Sequence, residues 1–77
     1  MTQTEWKRIF ANNLVDILEE KGMSQRQLAI DSGVSSAMIS EYVNAIRMPG
    51  LAAAINMAYA LDMDVGDLID FDERIEC

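Results

Sequence analysis

The stretch SQRQLAIDSGVSSAMISEYVNA, residues 24–45, decides how the chain folds. It holds two short apolar-periodic runs divided by Gly33, and each run opens on a serine. In the first, Ser24 and Gln27 have the spacing of a capping box, where hydroxyl and amide each satisfy the other's end of the first turn. Leu28 and Ala29 point inward, and Gly33 stops the helix where a positive φ costs least. Ser35 is placed to cap the second run, to about Asn44. Ile39, Tyr42, Val43 and Ile46 fall at i, i+3, i+4 and i+7, a spacing that predicts the core-facing side of a helix. Ser36, Ala37, Ser40, Glu41 and Asn44 then form the opposite side. That side is small, and it carries no Lys or Arg.

Upstream, a helix is expected from about Thr4 to Lys21, capped by Thr4. Trp6, Phe10, Leu14, Ile17 and Leu18 make its apolar stripe, and Lys21 then Gly22 end it in the usual order. Downstream, Pro49 and Gly50 break the chain before LAAAINMAYAL, where Leu51, Ile55, Ala58 and Leu61 are the expected stripe. A last helix, about Val65 to Ile69, supplies Val65, Leu68 and Ile69, with Asp64 as its N-cap and Asp67 favoured by the dipole. No segment alternates with period two, so the fold class is all-α: a five-helix bundle. Residues 1–70 read as one domain and 71–77 as a charged tail, in which Phe71 and Ile75 are unexplained apolar residues.

Composition removes several functions. The 77 residues include no histidine and one cysteine, Cys77. A disulfide within the chain and a Cys/His zinc site are therefore excluded. Nothing supports catalysis, so the protein is not expected to be an enzyme. The run Asp62, Asp64 and Glu73 falls at positions 1, 3 and 12 of a calcium loop, but position 6 is Asp67 where the sharp turn needs glycine. No metal or cofactor is expected, and no small-molecule substrate is evident. The longest apolar run lies far below the roughly 20 residues a membrane span requires. The opening MTQTEWKRIF lacks an apolar core with a cleavage site, so a cytoplasmic location is expected.

The net charge of −7 argues against nucleic acid until it is divided along the chain. Residues 24–50 balance Arg26 and Arg47 against Asp31 and Glu41. Residues 51–77 set Arg74 against Asp62, Asp64, Asp67, Asp70, Asp72, Glu73 and Glu76. The acidity sits in the last third, and binding depends on the field at the contacting face.

Two short helices joined by a glycine-containing turn are a helix-turn-helix arrangement. Residues 7–70 resemble the phage-repressor-type (Cro-like, XRE) helix-turn-helix family, whose domain is lambda-repressor-like. Gln25, Leu28, Ala29, Gly33, Val34, Ser35, Ile39, Ser40, Asn44, Pro49, Leu51, Ala58, Leu61, Val65 and Leu68 carry the likeness. The resemblance implies that the third helix enters the major groove of double-stranded DNA. By position, it makes Ser36, Ala37, Ser40 and Glu41 the base-contacting residues, and Gln25, Asn44 and Arg47 the phosphate-contacting ones. Serine hydroxyls donate or accept, Ala37 suits a thymine methyl, and Glu41 accepts from the cytosine amino group. The chain departs from the family at Ala45, where glycine is usual, so an altered exit from the third helix is expected. Lys7, Arg8, Lys21, Arg26 and Arg47 are the few cations available for phosphates, so weak monomer binding and a homodimer on a palindromic site are expected.

Two function classes follow from this reading. One is a sequence-specific regulator of transcription, like small phage and mobile-element repressors or the controller proteins of restriction–modification systems. The other is an acidic helix-turn-helix-shaped module that binds a basic protein partner. For the dimer contact, Phe71 and Ile75 are the candidates, with Leu51 or Met48 beside them.

Overall fold

Among the described residues, 2–68, the computed structural model has five helices and no strand. They are α1 (Gln3–Lys21), α2 (Gln25–Ser32), α3 (Ser36–Val43), α4 (Leu51–Ala60) and α5 (Val65–Leu68). Ile69, Phe71, Ile75 and the rest of the tail lie outside the described residues.

The N-cap of α1 is Thr2, not Thr4. Thr2 Oγ1 accepts from the Glu5 backbone N–H at 3.2 Å, and Glu5 Oε1 accepts from the Thr2 N–H at 2.9 Å. The pattern Thr-Gln-Thr-Glu holds two threonines, and only Thr2 stands three residues before a glutamate able to close the box. The Thr2 backbone and hydroxyl hydrogen bonds hold the Glu5 carboxyl below its ordinary range.

From α1, Phe10, Leu14 and Leu18 enter the core, while Trp6 and Ile17 are half-buried. Ala11 and Asn13, outside the expected stripe, are also buried. Phe10 meets the Tyr42 ring of α3 edge-on, centroids 6.3 Å apart. This geometry places the positive edge of one ring on the negative face of the other. Around these two lie Leu28, Ile39, Met57, Ala58, Leu61 and Leu68, all buried. α2 packs on both α3 and α4, α1 on α3 and α5, and α4 on α5.

Two expected stripes need correction. Ile46 is 60% exposed, because α3 ends at Val43 and the i+7 position is no longer on a helix. In α4 the core face is Ala54, Met57, Ala58 and Leu61, at i, i+3, i+4 and i+7. The expected Leu51 and Ile55 point outward instead, 74% and 45% exposed. α4 is apolar at nearly every position, with Asn56 its one amide, so periodicity alone fits two registers. The register adopted turns the small Ala54 and Ala58 inward together with the longer Met57.

Three helices end in the same way. Past α1, α3 and α4 stand Gly22, Ala45 and Asp62, with φ of 64°, 61° and 57°. After each, the next amide reaches back five residues in the Schellman pattern: Met23 to Leu18 O at 2.9 Å, Ile46 to Glu41 O at 2.9 Å, Met63 to Ala58 O at 3.0 Å. The substitution at Ala45 therefore leaves the exit in its left-handed form rather than altering it. The alanine Cβ is strained there, at about 1–2 kcal/mol. Ala45→Gly relieves the strain and adds back unfolded-chain entropy, so a net gain of about 0.5–1 kcal/mol is expected in urea unfolding.

Candidate nucleic-acid interface

The helix-turn-helix is built around a few side chains. Leu28 of α2 and Ile39 of α3 are fully buried, and Ala29, Val34 and Met38 pack half-buried against the same core. In the turn, residues 33–35, Gly33 takes a φ of 76° and donates its N–H to Ala29 O at 3.0 Å. The Val34 N–H is satisfied by Ser32 Oγ at 3.1 Å. Ser35 caps α3, its hydroxyl accepting from the Met38 N–H at 3.2 Å.

At the start of α2 the expected capping box is only half formed. Ser24 Oγ accepts from the Gln27 N–H at 3.0 Å, but the Gln27 amide turns forward to donate to Asp31 Oδ1 at 2.8 Å. A charged acceptor one turn along the helix outcompetes the neutral capping geometry. Gln25 follows as the first residue of α2 and is exposed.

Ile39 and Tyr42 bury one side of α3, which leaves Ser36, Ala37 and Ser40 exposed on the other. Glu41 lies at the margin of that side, half-buried. Asn44 is exposed, but its amide already serves the helix: Nδ2 donates to Ser40 O at 2.7 Å and to Ser40 Oγ at 3.4 Å. Arg47 is joined to Glu41, Nε to Oε1 at 2.7 Å. The structure thus brings Ser36, Ala37, Ser40, Glu41, Asn44 and Arg47 together on and just beyond α3. Gln25 stands apart, at the first turn of the preceding helix.

The ion pair was not visible in the sequence. Its partners are six residues apart, across a helix end, and the exit at Ala45 is what folds one back on the other. Beneath the face, the buried Tyr42 hydroxyl has no hydrogen-bond partner among the described residues. Burial pushes its phenol above the ordinary value of 10.0.

Residues 14–68 match the model of the helix-turn-helix family HTH_3, and the chain belongs to that family. Among solved structures it is similar to an HTH_3 family transcriptional regulator from Vibrio cholerae, with a TM-score of 0.86 at 24% identity. That likeness covers 96% of this chain and 42% of the Vibrio protein, so this chain spans well under half of that protein's length. No curated protein matches the chain.

Proposed function

We propose that the chain is a sequence-specific, DNA-binding regulator of transcription. It acts in the cytoplasm as a small repressor of the phage or mobile-element kind, bound as a homodimer to a palindromic operator. The observation that carries this reading is the slim, exposed side of α3, presented by a helix-turn-helix whose opposite side is locked into the core. Family membership and the regulator named in the Vibrio structure support it.

In this reading Ser36, Ala37, Ser40 and Glu41 meet base edges in the major groove. Gln25, at the amino end of α2, meets a phosphate with help from that helix's free amides. Asn44 and Arg47 flank the other side. Cations are few, so one domain binds weakly and a second copy is required. The outward side of α4 suits that copy: it exposes Leu51, Ile55 and Tyr59, and α4 contains no charged residue. In a chain of net charge −7, such a face lets two identical molecules meet without repulsion. Met48, the other residue considered beside Leu51, is half-buried against the core.

Selection of bound duplexes from random DNA tests the reading. Glu41→Ala is expected to change the preferred base at one position, by about 1–3 kcal/mol, while Gln25→Ala weakens all sequences alike. About three phosphates neutralised per subunit, by cations drawn from Lys7, Arg8, Lys21, Arg26 and Arg47, give a slope of log affinity against log salt of roughly −5 for the dimer. A slope near −10 would locate the contact surface elsewhere. Binding abolished by any unrelated duplex at moderate salt would favour the acidic, protein-binding module instead.

A further inference from the structure

We propose that Arg47 is a positioning residue for Glu41, and that the pair reads one C·G base pair as a unit. This rests on the assignment of α3 as the base-facing helix.

The local backbone brings the two residues together. Beyond α3, Ala45 takes its left-handed φ of 61° and donates its N–H to Tyr42 O at 3.2 Å. The next two amides both turn back to one acceptor: Ile46 N–H to Glu41 O at 2.9 Å and Arg47 N–H to the same oxygen at 3.4 Å. Main chain and side chain of Arg47 therefore close on the same residue, with Nε donating to Glu41 Oε1 at 2.7 Å. The side chains remain 56% and 37% exposed, so the pair lies at the surface rather than in the core.

At that exposure the contact adds little to stability. Its effect on recognition is larger. A lone carboxylate carried into a groove between phosphate rows is repelled by both. Joined to a guanidinium, it enters with its charge cancelled. An ionised carboxylate is acceptor-only and has about four lone-pair sites on two oxygens. One is taken by Arg47 Nε, and Oε2 remains to accept from a base. In the major groove the cytosine amino group is a donor, whereas guanine offers acceptors and thymine an acceptor and a methyl. A fixed, acceptor-only group therefore selects cytosine, and fixing it is what Arg47 does. The planar guanidinium holds a carboxylate in one orientation better than a point charge would.

The test compares base-preference profiles, salt slopes and urea unfolding for wild type, Glu41→Ala, Arg47→Ala, Arg47→Lys and the double variant Glu41→Gln/Arg47→Ala. Wild type is expected to prefer C·G at the position lost in Glu41→Ala. Arg47→Ala is expected to lose that preference too, by roughly tenfold, with its unfolding curve unmoved. Arg47→Lys keeps the charge without the Nε donor on its planar group and should recover affinity more than preference. The double variant removes the uncompensated carboxylate and should regain affinity without regaining cytosine selection.

Uniform weakening by Arg47→Ala, with the C·G preference intact and the salt slope smaller by about 1 per subunit, overturns the proposal. Arg47 would then be a phosphate contact alone. Glu41→Ala leaving the profile unchanged overturns it differently, because the base-facing assignment of α3 would itself have failed. A wild-type preference for another base at that position also overturns it.

Discussion

Leu28→Ala is expected to remove about 2–5 kcal/mol of stability, without touching any residue assigned to DNA. Leu28 is fully buried on α2, and α2 is the helix that packs on both α3 and α4. Truncation removes transfer free energy and leaves a cavity at the junction of three helices, where the backbone has little room to collapse. A chain of this length has a total stability of roughly 4–12 kcal/mol, so the loss is a large fraction of the whole. The midpoint of urea unfolding should fall with its slope unchanged, and the thermal midpoint by roughly 10 °C or more. Ile30→Ala, on the same helix but 64% exposed, should stay within about 0.5 kcal/mol. A shift below 1 kcal/mol for Leu28→Ala would mean that the crossing of α2 with α3 and α4 is not held as described. DNA binding should fail in step with folding, which separates this variant from any at the recognition face.

The contrast between Leu28 and Ile30 shows why the helix-turn-helix was legible from residues alone. Short helices with caps, a glycine turn and one fully committed apolar position leave little choice of register. Ser24, Gly33 and Ser35 fix the ends, and Leu28, Ile39 and Tyr42 must then share one interior. Where an element is apolar almost throughout, the same logic loses its grip. LAAAINMAYA accepts either Leu51 and Ile55 or Ala54 and Met57 as its inner face, and the pattern gives no reason to choose. The choice is made by a neighbour: α4 packs against α2, and Ala54 and Ala58 permit a close approach that Leu51 and Ile55 would not.

The site was legible to a similar depth. Which residues of α3 face outward follows from helical period. What their side chains do with one another does not, because it depends on the path beyond Val43. The left-handed turn at Ala45 ends the apolar period, so Ile46 leaves the core and Arg47 returns to Glu41. A departure from the family pattern pointed to that turn, but the expected consequence was an altered exit. The backbone instead keeps the glycine conformation and bears the strain, and the charge pair follows from it.

The outward side of α4 yields the second large effect. Leu51, Ile55 and Tyr59, the last 86% exposed, stand at i, i+4 and i+8, a stripe about 12 Å long. A twofold contact uses the same patch on both molecules. An antiparallel pair of α4 helices would set Leu51 of each copy beside Tyr59 of the other, with Ile55 near the axis. The three side chains give roughly 300–400 Å² per copy, half or less of the roughly 800 Å² per partner that a stable free dimer buries. The free protein should therefore self-associate weakly, and the operator should complete the dimer by holding two copies on half-sites about 34 Å apart. Linking two weak contacts through one duplex gains on the order of 100-fold or more in affinity. Ile55→Asp puts two like charges near the axis and should forfeit that gain on a palindrome, while binding to a single half-site and the unfolding midpoint stay near wild type. Gel shifts on whole and half operators, with sedimentation at high protein concentration, measure both. Equal affinity for the palindrome in Ile55→Asp and wild type would remove α4 from the interface. If Phe71→Asp then proved disruptive, the contact would pass to the tail. Loss on the half-site as well would mean that Ile55 supports the position of α4 itself, and its 45% exposure argues against that outcome.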